Sequence, residues 1–136
     1  MDQLVNNWIN LSDSTSQSHT KITLTSGETS VQAQLNDTKA AQEFKALLPV
    51  TLSMTRMGEH EYYSSLSTNL SEDDKTQTGY EISNLAYWTP GDLFAIYFDE
   101  PDKAPEGLII LGNITDDIDK IRELGNPAEI TISLAE

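Results

Sequence analysis

Apolar and polar residues alternate along most of the chain from residue 21 onward, which is the pattern of β-strands that bury one face. The first two strands, residues 21–26 and 31–35, meet at Ser26-Gly27 and predict a β-hairpin. Segment 93–98 is apolar on both faces and should be buried on both sides. Further strands are expected at residues 50–56, 59–66, 82–88, 108–114 and 130–134.

Two segments change to helical spacing. The first follows the capping sequence Asn36-Asp37-Thr38 and has Phe44 as its main apolar anchor. Pro49 ends this helix, because the residue before a proline is pushed out of the α conformation. The second begins at residues 115–117, and its apolar stripe is Ile118, Ile121 and Leu124. Many short strands joined mainly by hairpins favour a barrel or sandwich over a parallel sheet.

The length of 136 residues is that of one ordinary domain. We expect residues 1–20 to be a polar N-terminal leader, in which Leu4, Val5, Trp8 and Ile9 fit a short amphipathic helix. Residues 21–136 are expected to form the folded domain. The polar segment 67–79 predicts a long exposed loop, and Gly112 predicts a bend or a close backbone approach within its strand.

The composition narrows the classes of partner. The chain has no cysteine, which excludes disulfides, thiolate metal sites and cysteine nucleophiles. A formal net charge of −14 disfavours nucleic acids and anionic membrane surfaces. No apolar run reaches the roughly 20 residues of a membrane-spanning helix, so no membrane insertion is expected. The charge has two interpretations, which are solubility and attraction to a cationic ligand or partner.

The N-terminal sequence lacks the basic start, apolar core and small-residue cleavage site of a signal peptide. We therefore expect a cytoplasmic protein. The alternative is an exported protein from which the signal segment has been removed.

Three stretches together resemble the bacterial cyclophilin-like fold family. They are FKALLPVTLSMTRM at 44–57, AYWTPGDLFAIYF at 86–98, and LGNI at 111–114 before the short helix. The resemblance covers residues 20–135. It implies a mostly β fold, a closed cyclophilin-like β-barrel of about eight strands with two short capping helices, similar in architecture to peptidyl-prolyl cis/trans isomerases.

The sequence departs from the catalytic pattern of true cyclophilins. Those enzymes have a catalytic arginine on a barrel strand, closely followed by Phe-Met-x-Gln, with a tryptophan and a histidine lining the groove. Here Arg56 is followed by Met57-Gly58-Glu59-His60, and neither His60 nor Trp88 lies in a matching motif. No catalytic residue is therefore carried over, and fold alone does not imply activity.

Arg56 is the first candidate residue for a ligand groove. Alternation places it on the apolar side of its strand with Leu52 and Met54, where a charge needs a partner. It either holds a ligand carbonyl or carboxylate, or forms a structural ion pair with Glu59 or Glu61 or reaches out to water.

The other candidate residues surround His60. Glu59, His60 and Glu61 have the residue types of a metal or proton-transfer site, but alternation places His60 opposite both carboxylates. The alternative is a solvated hairpin. Only His19 remains elsewhere, so neither a metal nor a cofactor is expected.

Seven aromatic residues fall in the predicted strands, and aromatic side chains with polar groups often line clefts as well as cores. Tyr62 or Tyr63, together with Trp88, are the favoured cleft residues. The candidate groove is thus Arg56, Glu61, Tyr62, Tyr63 and Trp88.

These observations favour a non-catalytic binding module for a small molecule or an extended peptide. The alternative is a weak peptidyl-prolyl isomerase in which Arg56 polarises the amide carbonyl. A third hypothesis is a subunit whose barrel surface is an oligomer interface. The oligomeric state stays open.

Overall fold

The computed structural model describes residues 20–101 and 103–135. Within these residues it has eight strands and two short helices. The strands are β1 Thr20–Ser26, β2 Thr29–Leu35, β3 Val50–Met57, β4 Glu61–Ser65, β5 Asn84–Trp88, β6 Leu93–Tyr97, β7 Leu108–Ile114 and β8 Ala128–Leu134. The helices are α1 Lys39–Lys45 and α2 Asp119–Arg122. The predicted leader lies outside the described residues, except for Thr20, which begins β1.

The eight strands form one closed antiparallel barrel in the order β1-β2-β7-β5-β6-β4-β3-β8. The hairpin β1–β2 pairs Ser26 with Thr29. Strand β8 closes the barrel, because it pairs with both β1 and β3. The predicted fold class, a closed eight-stranded barrel with two short helices, is confirmed.

The barrel interior is filled by alternate residues of every strand. On β6, Phe94 and Ile96 point inward and join the main core. Their neighbours Ala95 and Tyr97 point outward, yet they are 1% and 2% exposed because a second apolar layer covers them. Burial of segment 93–98 on both sides is therefore confirmed.

The two helices cover opposite ends of the barrel. Helix α1 follows β2 and helix α2 follows β7, and these strands are antiparallel, so their carboxyl ends lie at opposite ends. Thr38 caps α1 by accepting a 3.2 Å hydrogen bond from the Ala41 N–H. Phe44 stacks on Phe94 inside the barrel, with 4.7 Å between ring centroids. Both helices are shorter than the predicted segments.

The segment 67–79 is anchored on α1 rather than fully exposed, which corrects the sequence expectation. The Asp74 carboxylate accepts hydrogen bonds of 3.1 Å from the Lys39 N–H and 2.9 Å from the Ala40 N–H. A carboxylate is well placed there, because the first N–H groups of a helix lack helical partners. Leu70 is buried, and its N–H donates to the Tyr87 hydroxyl at 3.2 Å.

Gly112 lies where β7 passes between β2 and β5. A Cβ at this position would overlap the backbone carbonyl of Gln34. The predicted close backbone approach is confirmed, and the register of β5 against β7 shifts beside it, between Leu85 and Ala86.

Phe44→Ala should destabilise the barrel by about 3–5 kcal/mol, because it leaves a cavity against Phe94. Urea unfolding followed by circular dichroism measures this change. The matched truncation Leu134→Ala, at a side chain that is 48% exposed, should change the free energy of unfolding by less than about 0.5 kcal/mol. Equal losses of unfolding free energy in the two variants would contradict the packing of Phe44 inside the barrel.

Candidate functional site

A groove lies on the outside of the barrel, across β4, β6 and β5. We call it the outer groove. It has a volume of about 240 Å³, and Pro101, Lys103 and Pro105 border it. Its lining includes Glu61, Tyr63, Tyr80, Trp88, Ala95 and Tyr97.

The strand register explains the shape of the outer groove. Glu61 of β4 pairs with Tyr97 of β6, and Tyr63 pairs with Ala95. Ala95 in turn pairs with Ala86 of β5. These positions all face outward, so the small side chain of Ala95 forms a low floor between bulky aromatic residues.

The aromatic walls are held in place by specific contacts. Tyr80 stacks on Tyr97 with 3.6 Å between ring centroids and 10° between ring planes. The Tyr80 hydroxyl donates a 2.8 Å hydrogen bond to the Asp99 carbonyl. The Trp88 ring lies against Gly91, where an added Cβ would be 2.5 Å from Cζ3 and 2.8 Å from Cε3 of the indole.

Glu61 places a carboxylate among these rings. Its side chain is only 15% exposed, and its Oε1 lies 3.1 Å from His60 Nε2. Burial raises the pKa of Glu61 above its ordinary value, although His60 acts in the opposite direction. The ionised carboxylate is therefore held at some cost in free energy.

The pairing of His60 with Glu61 corrects the expectation that they lie on opposite faces. Residues 58–60 form a turn, and β4 begins only at Glu61. Strand alternation therefore does not apply to His60. The described residues contain no group of three or more His, Asp or Glu side chains that could hold a metal ion.

Comparison with known proteins identifies the family. The model of the cyclophilin-like family matches residues 24–133. The chain belongs to the cyclophilin-like family. No protein of curated function gives a significant match.

One solved structure shows the same fold as this cyclophilin-like protein. It is the solution structure of the hypothetical protein AF2241 from Archaeoglobus fulgidus, which is 14% identical. The alignment has a TM-score of 0.70 and covers 87% of this chain and 96% of that one. At this identity the likeness concerns the fold alone.

The structure brings together three of the five predicted groove residues, Glu61, Tyr63 and Trp88. Tyr62 does not line the outer groove, because its place in β4 turns it into the barrel, where it is 0% exposed. Its hydroxyl donates to the Leu124 carbonyl oxygen at 2.6 Å, and the Gly125 carbonyl oxygen lies 2.7 Å from the same hydroxyl.

Arg56 of this cyclophilin-like protein also lies away from the outer groove. Its Nη1 donates to the Arg122 carbonyl at 2.8 Å, and its Nη2 is 3.0 Å from Glu59 Oε1. The guanidinium carbon is 4.7 Å from the Phe98 ring centroid. The contact with Glu59 matches the predicted ion-pair alternative, and the contact with the Arg122 carbonyl ties β3 to the end of α2.

Sequence reasoning missed Tyr80 and Ala95 as groove residues, and it counted Tyr97 among the seven strand aromatics without favouring it for the cleft. Tyr80 follows a polar segment without periodicity, and Tyr97 lies in a strand that is apolar on both faces. Ala95 becomes meaningful only through its pairing with Tyr63 and Ala86.

No helix in the part of the chain that the structure describes is long and apolar enough to cross a membrane.

Gly91→Ala should displace the Trp88 ring, because the new Cβ overlaps the indole. In a Trp8→Phe background Trp88 is the only tryptophan, so its fluorescence reports the ring directly. We expect a shifted emission maximum and increased quenching by acrylamide. Gly125→Ala is the matched control, since its nearest contact would be 3.9 Å away. An unchanged Trp88 spectrum in Gly91→Ala would show that Gly91 does not position the ring.

Glu61→Gln should gain stability relative to the wild type as the pH rises from about 4 to about 7. The folded state binds the Glu61 proton more tightly than the unfolded state, so wild-type stability is lost as the pH rises through the folded pKa. The glutamine side chain has no such proton to lose. Urea unfolding at each pH measures the difference, and Glu129→Gln, at an exposed position on β8, is the control. A relative gain that shrinks toward neutral pH would contradict the prediction.

Proposed function

We propose that this cyclophilin-like protein is a binding module whose outer groove holds a small molecule or one side chain of an extended peptide. The observation that supports it best is a groove of about 240 Å³ with stacked aromatic walls and a largely buried carboxylate. Sites for drug-sized ligands have volumes of about 300–1,000 Å³. The smaller volume favours a compact ligand over a peptide that fills the groove with several residues.

The character of Glu61 supports a functional role for the groove. The residue faces outward from β4, so the barrel interior does not require it. Its carboxylate is nevertheless withdrawn from water, which raises its pKa. A carboxyl group with a perturbed pKa in a cleft is a frequent feature of functional sites.

The isomerase alternative has less support. It requires an arginine that can reach the substrate carbonyl, and Arg56 directs its guanidinium to the Arg122 carbonyl, the Tyr62 hydroxyl and Glu59. Within the described residues, no arginine lines the outer groove. In this proposal Arg56 stabilises the end of the barrel, and the groove binds its ligand without making or distorting covalent bonds.

A fragment screen by ¹H–¹⁵N NMR should test the binding function. Ligands should shift the amide signals around Tyr63 and Trp88, and Tyr63→Ala and Trp88→Ala should each weaken binding at least about tenfold. Leu134→Ala, on the exposed face of β8, should leave the affinity unchanged.

A protease-coupled assay of proline isomerisation on the same proteins separates the two functions. We expect no activity above background in the wild type. Activity that disappears in a folded Arg56→Ala variant, together with a screen that finds no ligand for the groove, would overturn the binding proposal in favour of the isomerase.

A further inference from the structure

We propose that the ligand of the outer groove is a compact organic cation with an alkylated ammonium group. This inference rests on the proposed binding function and specifies the chemical class of the ligand. It is based on the combination of one largely buried carboxylate with four aromatic side chains in a groove of limited volume.

The charge at the groove comes mainly from Glu61. It is the only carboxylate among the lining residues that the structure describes, and the charged rim residue Lys103 is exposed. A carboxylate offers about four lone-pair sites, and the hydrogen bond from His60 Nε2 uses one of them. The Glu61 carboxylate therefore keeps free acceptor sites for a positively charged group.

Desolvation decides between ligand classes. A neutral ligand that closes the groove would replace the remaining water at Glu61 with neutral hydrogen bonds at most, and an anionic ligand would add repulsion. A cation compensates the carboxylate directly. An alkylated ammonium group is also weakly hydrated compared with a primary ammonium, so it loses less on leaving water.

The aromatic residues favour the same class. Tyr63, Tyr80 and Trp88 are partly exposed along the groove, and the faces of aromatic rings attract cations, most strongly those of tryptophan. The contact of Trp88 with Gly91 and the stacking of Tyr80 on Tyr97 hold these rings in place before any ligand arrives. Fixed rings lower the entropy cost of binding.

The electrostatic field of the whole protein adds a long-range contribution to the binding of cations. The net charge of −14 raises the local concentration of cations around the protein. This contribution is not specific to the groove, so the test must separate it from the local effect of Glu61.

Choline and its neutral carbon isostere, in which a quaternary carbon replaces the nitrogen, test the proposal. Both are titrated at constant ionic strength and at a pH of about 8, well above the ordinary pKa of a glutamate side chain. Trp88 fluorescence in the Trp8→Phe background and the amide shifts of groove residues report binding. We expect choline to bind at least about tenfold more tightly than the isostere.

Two variants with the same change in net charge assign the effect. Glu61→Gln should weaken choline binding about tenfold and leave the affinity for the isostere unchanged or higher. Glu129→Gln, at an exposed position on β8, should leave choline binding unchanged. A peptide with a single trimethyllysine is titrated as well, because it carries an alkylated ammonium group on a peptide side chain. Binding tighter than that of choline would assign the ligand to a peptide side chain rather than a free small molecule.

Equal binding of choline and the isostere, or equal effects of the two glutamine variants, would overturn the cation inference. The binding function would still stand in that case, because a neutral ligand would occupy the groove. If choline, its isostere and the fragment screen all fail to shift groove residues, the proposed function fails as well.

Discussion

Closure of the sheet by β8 is the constraint on which the rest of the structure depends. Because β8 pairs with β1 on one side and β3 on the other, no strand of the barrel has an open edge. Closure also commits each strand to one inner and one outer face, since side chains alternate along a strand. The inner faces form the main core around Phe44 and Phe94.

The outer faces of β4, β5, β6 and β7 differ from an ordinary solvated sheet. Ala86, Ala95, Tyr97 and Leu108 form a second buried cluster, against which Tyr63, Tyr80 and Trp88 pack. On β6, Ala95 leaves space over the outer face that a larger residue would fill. The outer groove is thus a consequence of strand register combined with residue size, and Glu61 supplies its charge at the end of β4.

The barrel end near α2 holds Arg56, which does not line the outer groove. Tyr62 and Arg56 both donate hydrogen bonds to backbone carbonyls in residues 122–125. Buried carbonyls need such donors, because the short helix leaves its last carbonyl groups without helical partners. The guanidinium also lies over Phe98. These contacts hold the side chain of Arg56 on the face of the sheet opposite to the outer groove.

The sequence by itself determined the elements and the fold class. Alternation, the turn sequences and the resemblance predicted the strands and the closed barrel, because these signals depend on local spacing. It also proposed Glu61, Tyr63 and Trp88, which the tertiary structure brings together. Only the tertiary structure decided that Tyr62 faces inward, that His60 meets Glu61 across a turn, and that Ala95 forms a groove floor. These features depend on where β4 begins and which residues pair across strands, and neither is encoded in the spacing of one segment.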